Sequence, residues 1–155
     1  LALEPGLALL LEDDEGVCGY VLGALHSREF FQRYAAEWLP PLQATIARPP
    51  GDPATLSPTD QLRLLIHEPD LYCPEPYAGY PAHLHIDLLP RAQGQGWGRR
   101  MMEALLERLA AKGAPGVHLG MHASNTRAAE FYRRMGFHEL VRVGDSLYFG
   151  KRLIS

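Results

Sequence analysis

The chain has 155 residues, 46% hydrophobic and 21% charged, enough to bury one core and too apolar for a disordered segment. Its formal net charge of -3 gives no electrostatic argument for a nucleic-acid partner, which would want a basic face. Cys18 and Cys73 lie far apart with no second ligand at metal spacing, and no apolar run is long enough to span a membrane, so one cytoplasmic domain over 1–155 without a metal is expected.

In chain order, Leu7–Leu11 and Val17–Leu25 are apolar runs joined by the acidic, Gly-ended stretch Glu12–Gly16, which predicts a β-hairpin. Arg28–Trp38 carries Phe30, Phe31, Tyr34 and Trp38 at helical spacing, and Pro40-Pro41 is expected to end that helix. After the Pro-rich passage Arg48–Pro58, Thr59 or Asp60 can cap a helix over Gln61–His67 with Leu62, Leu65 and Ile66 on one face. Pro69–Pro81 reads as an irregular loop. His83–Leu89 is a strand closed by Pro90, and the turn Arg91–Gly98 leads into a helix through Lys112 whose apolar face is Met101, Met102, Leu105 and Leu109. Val117–Met121 is a further strand. Ser124 or Asn125 caps a helix through Met135, and Phe137–Val143 with Ser146–Leu153 forms a second hairpin. This order predicts an α/β core with a crossover. No signal peptide is visible, but the first residue is Leu1 rather than Met, which leaves a preceding leader open.

The turn Gln93-Gly94-Gln95-Gly96-Trp97-Gly98 carries most of the functional signal. Glycines at alternate positions let the backbone turn tightly with no Cβ in the way of a ligand. The unpaired N–H groups of the helix start, with the macrodipole behind them, then make an anion site suited to a pyrophosphate. Arg99 and Arg100 stand in the first helical turn, where the dipole disfavours cations unless an anion offsets it. A nucleoside-triphosphate loop needs G-x-x-x-x-G-K-[ST], which is absent. The dinucleotide fingerprint needs its third glycine one residue later. Taken alone, the turn leaves an anion site and a ligand-free turn both open.

The run Leu88–Gly98 resembles the acetyl-CoA motif of the GNAT superfamily of N-acetyltransferases, Arg/Gln-x-x-Gly-x-Gly/Ala after a strand. A second motif stands at that family's spacing in Asn125, Ala128, Phe131-Tyr132 and Gly136-Phe137. The stretch Tyr80–Pro90, with Gly19–Leu25 and the aromatic helix before Trp38-Leu39-Pro40, is similar to the acetyltransferase-like C-terminal domain of O-GlcNAcases and its free-standing bacterial relatives. The resemblance implies a mixed, mostly antiparallel sheet with a splayed parallel strand pair, flanking helices, and a helical insertion before the motif strand.

It also implies that acetyl-CoA (coenzyme A) is held by the backbone of Gln93, Gly94, Gln95, Gly96, Trp97, Gly98 and Arg99. In that reading Leu88 backbone polarises the thioester carbonyl, Asn125 contacts the pantetheine arm, and Tyr132 protonates the departing thiolate. Asn125 as a plain helix cap and Tyr132 as plain core remain alternatives. Many relatives carry a glutamate at the position of Ala82. Here His83, His85 and Asp87 alternate, so they share one strand face and offer a base, with Asp87 first and His85 next, or else a structural polar row. His118, His122 and His138 read as structural.

The insertion His26–Pro81 holds Trp38, Tyr72, Tyr77 and Tyr80, which either wall a groove for the acceptor or form the insertion's own core. Core is the reading for Phe30, Phe31 and Trp38. The superfamily usually opens with a strand and two helices before the first hairpin. Either those elements precede Leu1 or the insertion stands in for them. Two functions follow: transfer of an acetyl group to a small-molecule or peptide amine, or a catalytically silent acetyl-CoA-binding domain. A homodimer is left open.

Overall fold

A computed structural model describes residues 3–69, 71 and 79–154, which form two compact units, Leu1–Ser27 with Pro74–Ser155, and Arg28–Cys73. Most of the loop expected over 69–81, with Cys73, Tyr72 and Tyr77, lies outside the described residues.

In the first unit, β1 (Ala8–Asp13), β2 (Gly16–Ala24), β3 (Ala82–Leu88), β4 (Gly116–His122), β5 (His138–Val143) and β6 (Ser146–Arg152) make one sheet of order β1-β2-β3-β4-β6-β5. Each neighbouring pair is antiparallel except β3 with β4. Their parallel register runs Ala82↔Val117 and His83↔His118 and then ends, although both strands continue. The mostly antiparallel sheet with a splayed parallel pair is thus the architecture the chain adopts. The first hairpin is tighter than expected: its strands extend to Asp13 and back from Gly16, leaving Asp14-Glu15 as the turn.

The helix α4 (Trp97–Ala111) covers one sheet face because its apolar side chains recur every three to four residues. Met101, Met102, Leu105, Leu106 and Leu109 are buried there in one cluster with Val21, Leu84, Val117, Leu119 and Phe149. Gly113, at φ +85°, ends the helix, with Ala114 N–H donating to Leu109 C=O at 3.0 Å. The helix α5 (Thr126–Arg134) is stopped the same way by Gly136 at φ +82°. Alternation along β3 buries Ala82 and Leu84 and turns His83, His85 and Asp87 to the other face, with His85 and Asp87 exposed.

The second unit is helical, as expected, but three local expectations fail. Pro40-Pro41 does not end the aromatic helix. After α1 (Ser27–Arg33) a widened turn over Tyr34–Trp38 lets Leu39 N–H donate to Tyr34 C=O, and α2 (Leu39–Thr45) begins with the prolines in its first turn, where a missing N–H costs nothing. The next helix, α3 (Pro58–His67), is capped by Ser57, whose Oγ accepts from Asp60 N–H at 3.2 Å, not by Thr59 or Asp60. Leu62 and Leu65, on one face of α3, are 68% and 51% exposed. Trp38, read as core, is 44% exposed, while Phe30, Phe31 and Tyr34 are half-buried and in ring contact. Among the described residues no helix is long and apolar enough to cross a membrane.

Candidate functional site

The end of β3, the glycine turn, the start of α4 and one side of the helix Thr126–Arg134 bound one cleft of about 500 Å3, all within the first unit. Its strand wall follows from the hydrogen-bond alternation of an antiparallel pair. Leu89 N–H donates to Cys18 C=O at 2.8 Å, so Leu89, Asp87 and His85 direct their backbone groups to β2. Ile86 and Leu88 then direct theirs the other way, toward β4. Because the β3–β4 ladder stops at His83↔His118, those groups face the gap between the strands. Gln93 Nε2 donates to Leu88 C=O at 2.8 Å, tying the turn to the strand end.

The turn has the backbone its glycines suggested. Gly94 and Gly96 hold φ of 76° and 82°, in the left-handed region, and a Cβ built on either meets no heavy atom within 4 Å. Gly96 is the residue before α4 and has no side chain to cap it. The first intrahelical bond is Arg100 N–H to Gly96 C=O at 3.2 Å, so the Trp97, Gly98 and Arg99 amides carry no side-chain cap. Gly94, Gly96, Gly98, Gln93 and Arg99 line the cleft. Gln95 and Trp97 are not among the lining residues: Gln95 Nε2 donates to Arg91 C=O at 2.7 Å, and Arg100 lies over the Trp97 ring at 4.9 Å. Arg99 pairs with Glu103 at 2.8 Å, which offsets part of the cost of a cation at the helix start.

Across the cleft stands α5. Asn125 caps it, its Oδ1 accepting from Ala128 N–H at 3.1 Å, and also lines the cleft, so capping and lining coexist in one side chain. Arg127 and Arg134, which the sequence reading did not single out, line the same wall and add positive charge. Tyr132 is 9% exposed, packed edge-on against Phe131 and Phe137 with ring centroids 5.4 and 5.8 Å away, and it too lines the cleft. Burial, reinforced by the Asp87 carboxylate, raises the Tyr132 phenol above the ordinary tyrosine range. Asp87 lines the cleft as well; His85 is not among the lining residues, and its ring stacks on Tyr20 at 5.7 Å.

The histidine row is split in character. His83 Nδ1 lies 2.9 Å from Ser27 Oγ, whose own proton goes to Pro81 C=O at 2.7 Å, so His83 is the donor. His118, read as structural, sits beside it in strand register with ring centroids 5.9 Å apart, and donates Nδ1–H to Tyr80 C=O at 2.7 Å. Burial, then His118 and His85, pushes His83 down to about 4. Burial also lowers His118. Above pH 6.5 folded and unfolded imidazoles are both neutral. As pH falls from 6.5 to about 4 the unfolded chain takes up protons that folded His83 refuses, so stability is lost across that window, by up to about 3 kcal/mol from this group. Thermal melts are therefore expected to drop steeply from pH 7 to 5, and His83→Gln is expected to flatten that slope. An unchanged slope would refute the assignment.

Known proteins fit this geometry. The acetyltransferase (GNAT) domain model matches residues 70–139. The solved structure of SsHAT is 42% identical with a TM-score of 0.86, covering 99% of this chain and 76% of that one. The rat protein O-GlcNAcase is 29% identical over 144 residues, 92% of this chain but 16% of that protein's length. A GNAT superfamily phosphinothricin acetyltransferase from Sinorhizobium meliloti, solved with acetyl-CoA, shares the fold at 15% identity and a TM-score of 0.56, covering 99% of this chain and 65% of that one. With its splayed strand pair and glycine-turn helix start, the chain belongs to the GNAT acetyltransferase family.

Proposed function

We propose that the chain is a single acetyltransferase domain that binds acetyl-CoA and moves its acetyl group to an amine of a small-molecule or peptide acceptor by direct attack. The observation that carries this reading is the convergence of the glycine turn, Asn125, Tyr132 and the freed edge of β3 on one cleft. The site suits the group in two respects: open space stands over Gly94 and Gly96, and the uncapped amides of Trp97, Gly98 and Arg99 can receive a pyrophosphate. Arg99, Arg127 and Arg134 add charge for the phosphates, and Asn125 keeps its amide nitrogen for the pantetheine arm. The phosphinothricin acetyltransferase solved with acetyl-CoA has the same fold, which is consistent with this choice of coenzyme.

When bound, acetyl-CoA supplies an activated thioester with a thiolate as leaving group. The backbone N–H of Leu88, facing the strand gap, stabilises negative charge developing on an acyl oxygen. Tyr132 Oη holds a proton for the departing sulfur, and its raised pKa keeps that proton in place at neutral pH. Asp87, with His85 next to it on the same strand face, takes the proton from the acceptor's nitrogen. Burial lowers His83, to about 4, and His118, which makes both weak proton acceptors.

A second reading, a silent acetyl-CoA-binding domain, is motivated by Ala82. The position where many relatives carry a glutamate is fully buried and has no carboxylate. Thiol release from acetyl-CoA, followed across a panel of amines and peptides, separates the two. Release that depends on acceptor and falls with Asp87→Asn supports transfer. Binding without release for any acceptor supports the silent domain.

A further inference from the structure

The glycine turn is exposed at Gln93, Gly94, Gln95 and Gly96, and Gly94 and Gly96 add backbone freedom, so burial alone does not fix its shape. Ala92 is buried and Gln93 is tied to Leu88, but the other tie that spans the fold runs through Arg91. Arg91 Nε donates to Asp13 Oδ2 at 2.8 Å and Nη2 donates to Asp13 Oδ1 at 3.2 Å, a two-point ion pair between residues 78 positions apart. Nη2 also lies 3.5 Å from Gly16 C=O. The carbonyl of the same arginine accepts Gln95 Nε2. Asp13 is itself fixed, because it ends β1 and its Oδ1 accepts Glu15 N–H at 2.9 Å.

We propose that the Asp13–Arg91 pair is a latch that holds the glycine turn in its coenzyme-receiving shape, with Arg91 a positioning residue and not a phosphate ligand. This rests on the acetyl-CoA reading above. The guanidinium faces the β1–β2 turn, not the cleft, and Arg91 is absent from the cleft lining. Its fork geometry matches the carboxylate at two points, which a lysine does not reproduce. Arg91 and the Glu15 amide hold the Asp13 carboxyl below the ordinary aspartate range, so the pair is charged at neutral pH. An ion pair this exposed adds little to overall stability, and its consequence falls on preorganisation of the turn it anchors.

Calorimetric titration of acetyl-CoA into the wild-type chain, Arg91→Ala, Asp13→Ala, the double variant and Arg91→Lys tests this, alongside KM, kcat and thermal melts. Each alanine variant is expected to raise Kd by about three- to tenfold, with KM following it and kcat unchanged. The double variant is expected to be no weaker than either single one, and Arg91→Lys to fall between wild type and Arg91→Ala. Weakening by Arg91→Ala with none from Asp13→Ala would mean that Arg91 meets the anion directly, which overturns the latch. Unchanged affinity in both singles overturns it as well. Failure of the wild type to bind removes the coenzyme reading itself and the latch with it, a result distinct from the other two.

Discussion

Tyr132→Phe is expected to lower kcat by about a hundredfold or more while leaving acetyl-CoA affinity nearly unchanged. The substitution removes one oxygen and keeps a ring held by Phe131, Phe137 and Phe149, so the packing around it survives. What is lost is the proton. Burial and the Asp87 charge both disfavour the phenolate, so Tyr132 stays protonated well past neutral pH and can donate to a departing thiolate. The same coupling gives a second readout. Asp87→Asn removes one of the two causes, so a high-pH limb arising from Tyr132 should move to lower pH. Full kcat in Tyr132→Phe would make Tyr132 a core residue only.

The second large effect is expected in the glycine turn. Gly96→Val should weaken acetyl-CoA binding by placing a branched side chain in the open space over the turn, but its φ of 82° also forces strain on any other residue. Gly98→Ala separates these causes. Gly98 lies in α4 with no positive φ, and its added Cβ would sit 3.4 Å from Leu88 Cδ1 and 3.7 Å from Phe131 Cζ, which are ordinary contacts. Alanine gains up to about 1 kcal/mol over glycine in a helix interior, less at an end, so the melting temperature should hold or rise. Affinity should nevertheless fall by about fivefold or more, because the methyl group narrows the cleft between strand and helix. Gly98→Ala with unchanged affinity would mean that the coenzyme does not approach this turn.

Local chemistry explains what could be read from the sequence. The Gln93–Gly98 turn, the amphipathic stripe of α4 and the Asn125 cap each depend on residues within a few positions of one another. The structure places each element where that reading put it, within one or two residues. Pairings that close across the fold were not legible. His118 shares a face with His83 because of the register His83↔His118, which no spacing in the chain announces. The Asp13–Arg91 pair joins residues on separate elements, and Arg127 and Arg134 meet the cleft only once α5 stands across it from β3. The misreadings in the insertion have a different origin. Pro40-Pro41 looked like a stop because the widened turn that accommodates them has no sequence signature of its own. Trp38 reads as core from its size and apolar ring, and the structure leaves it 44% exposed.

Calorimetric titration of acetyl-CoA into the intact wild-type chain bears on everything above. Saturable binding at one site per chain, with a Kd between about 1 µM and 1 mM and loss of affinity in Gly98→Ala, is the expected result. No heat of binding at millimolar acetyl-CoA would contradict the coenzyme cleft, and the roles given to Leu88, Asn125 and Tyr132 would fall with it.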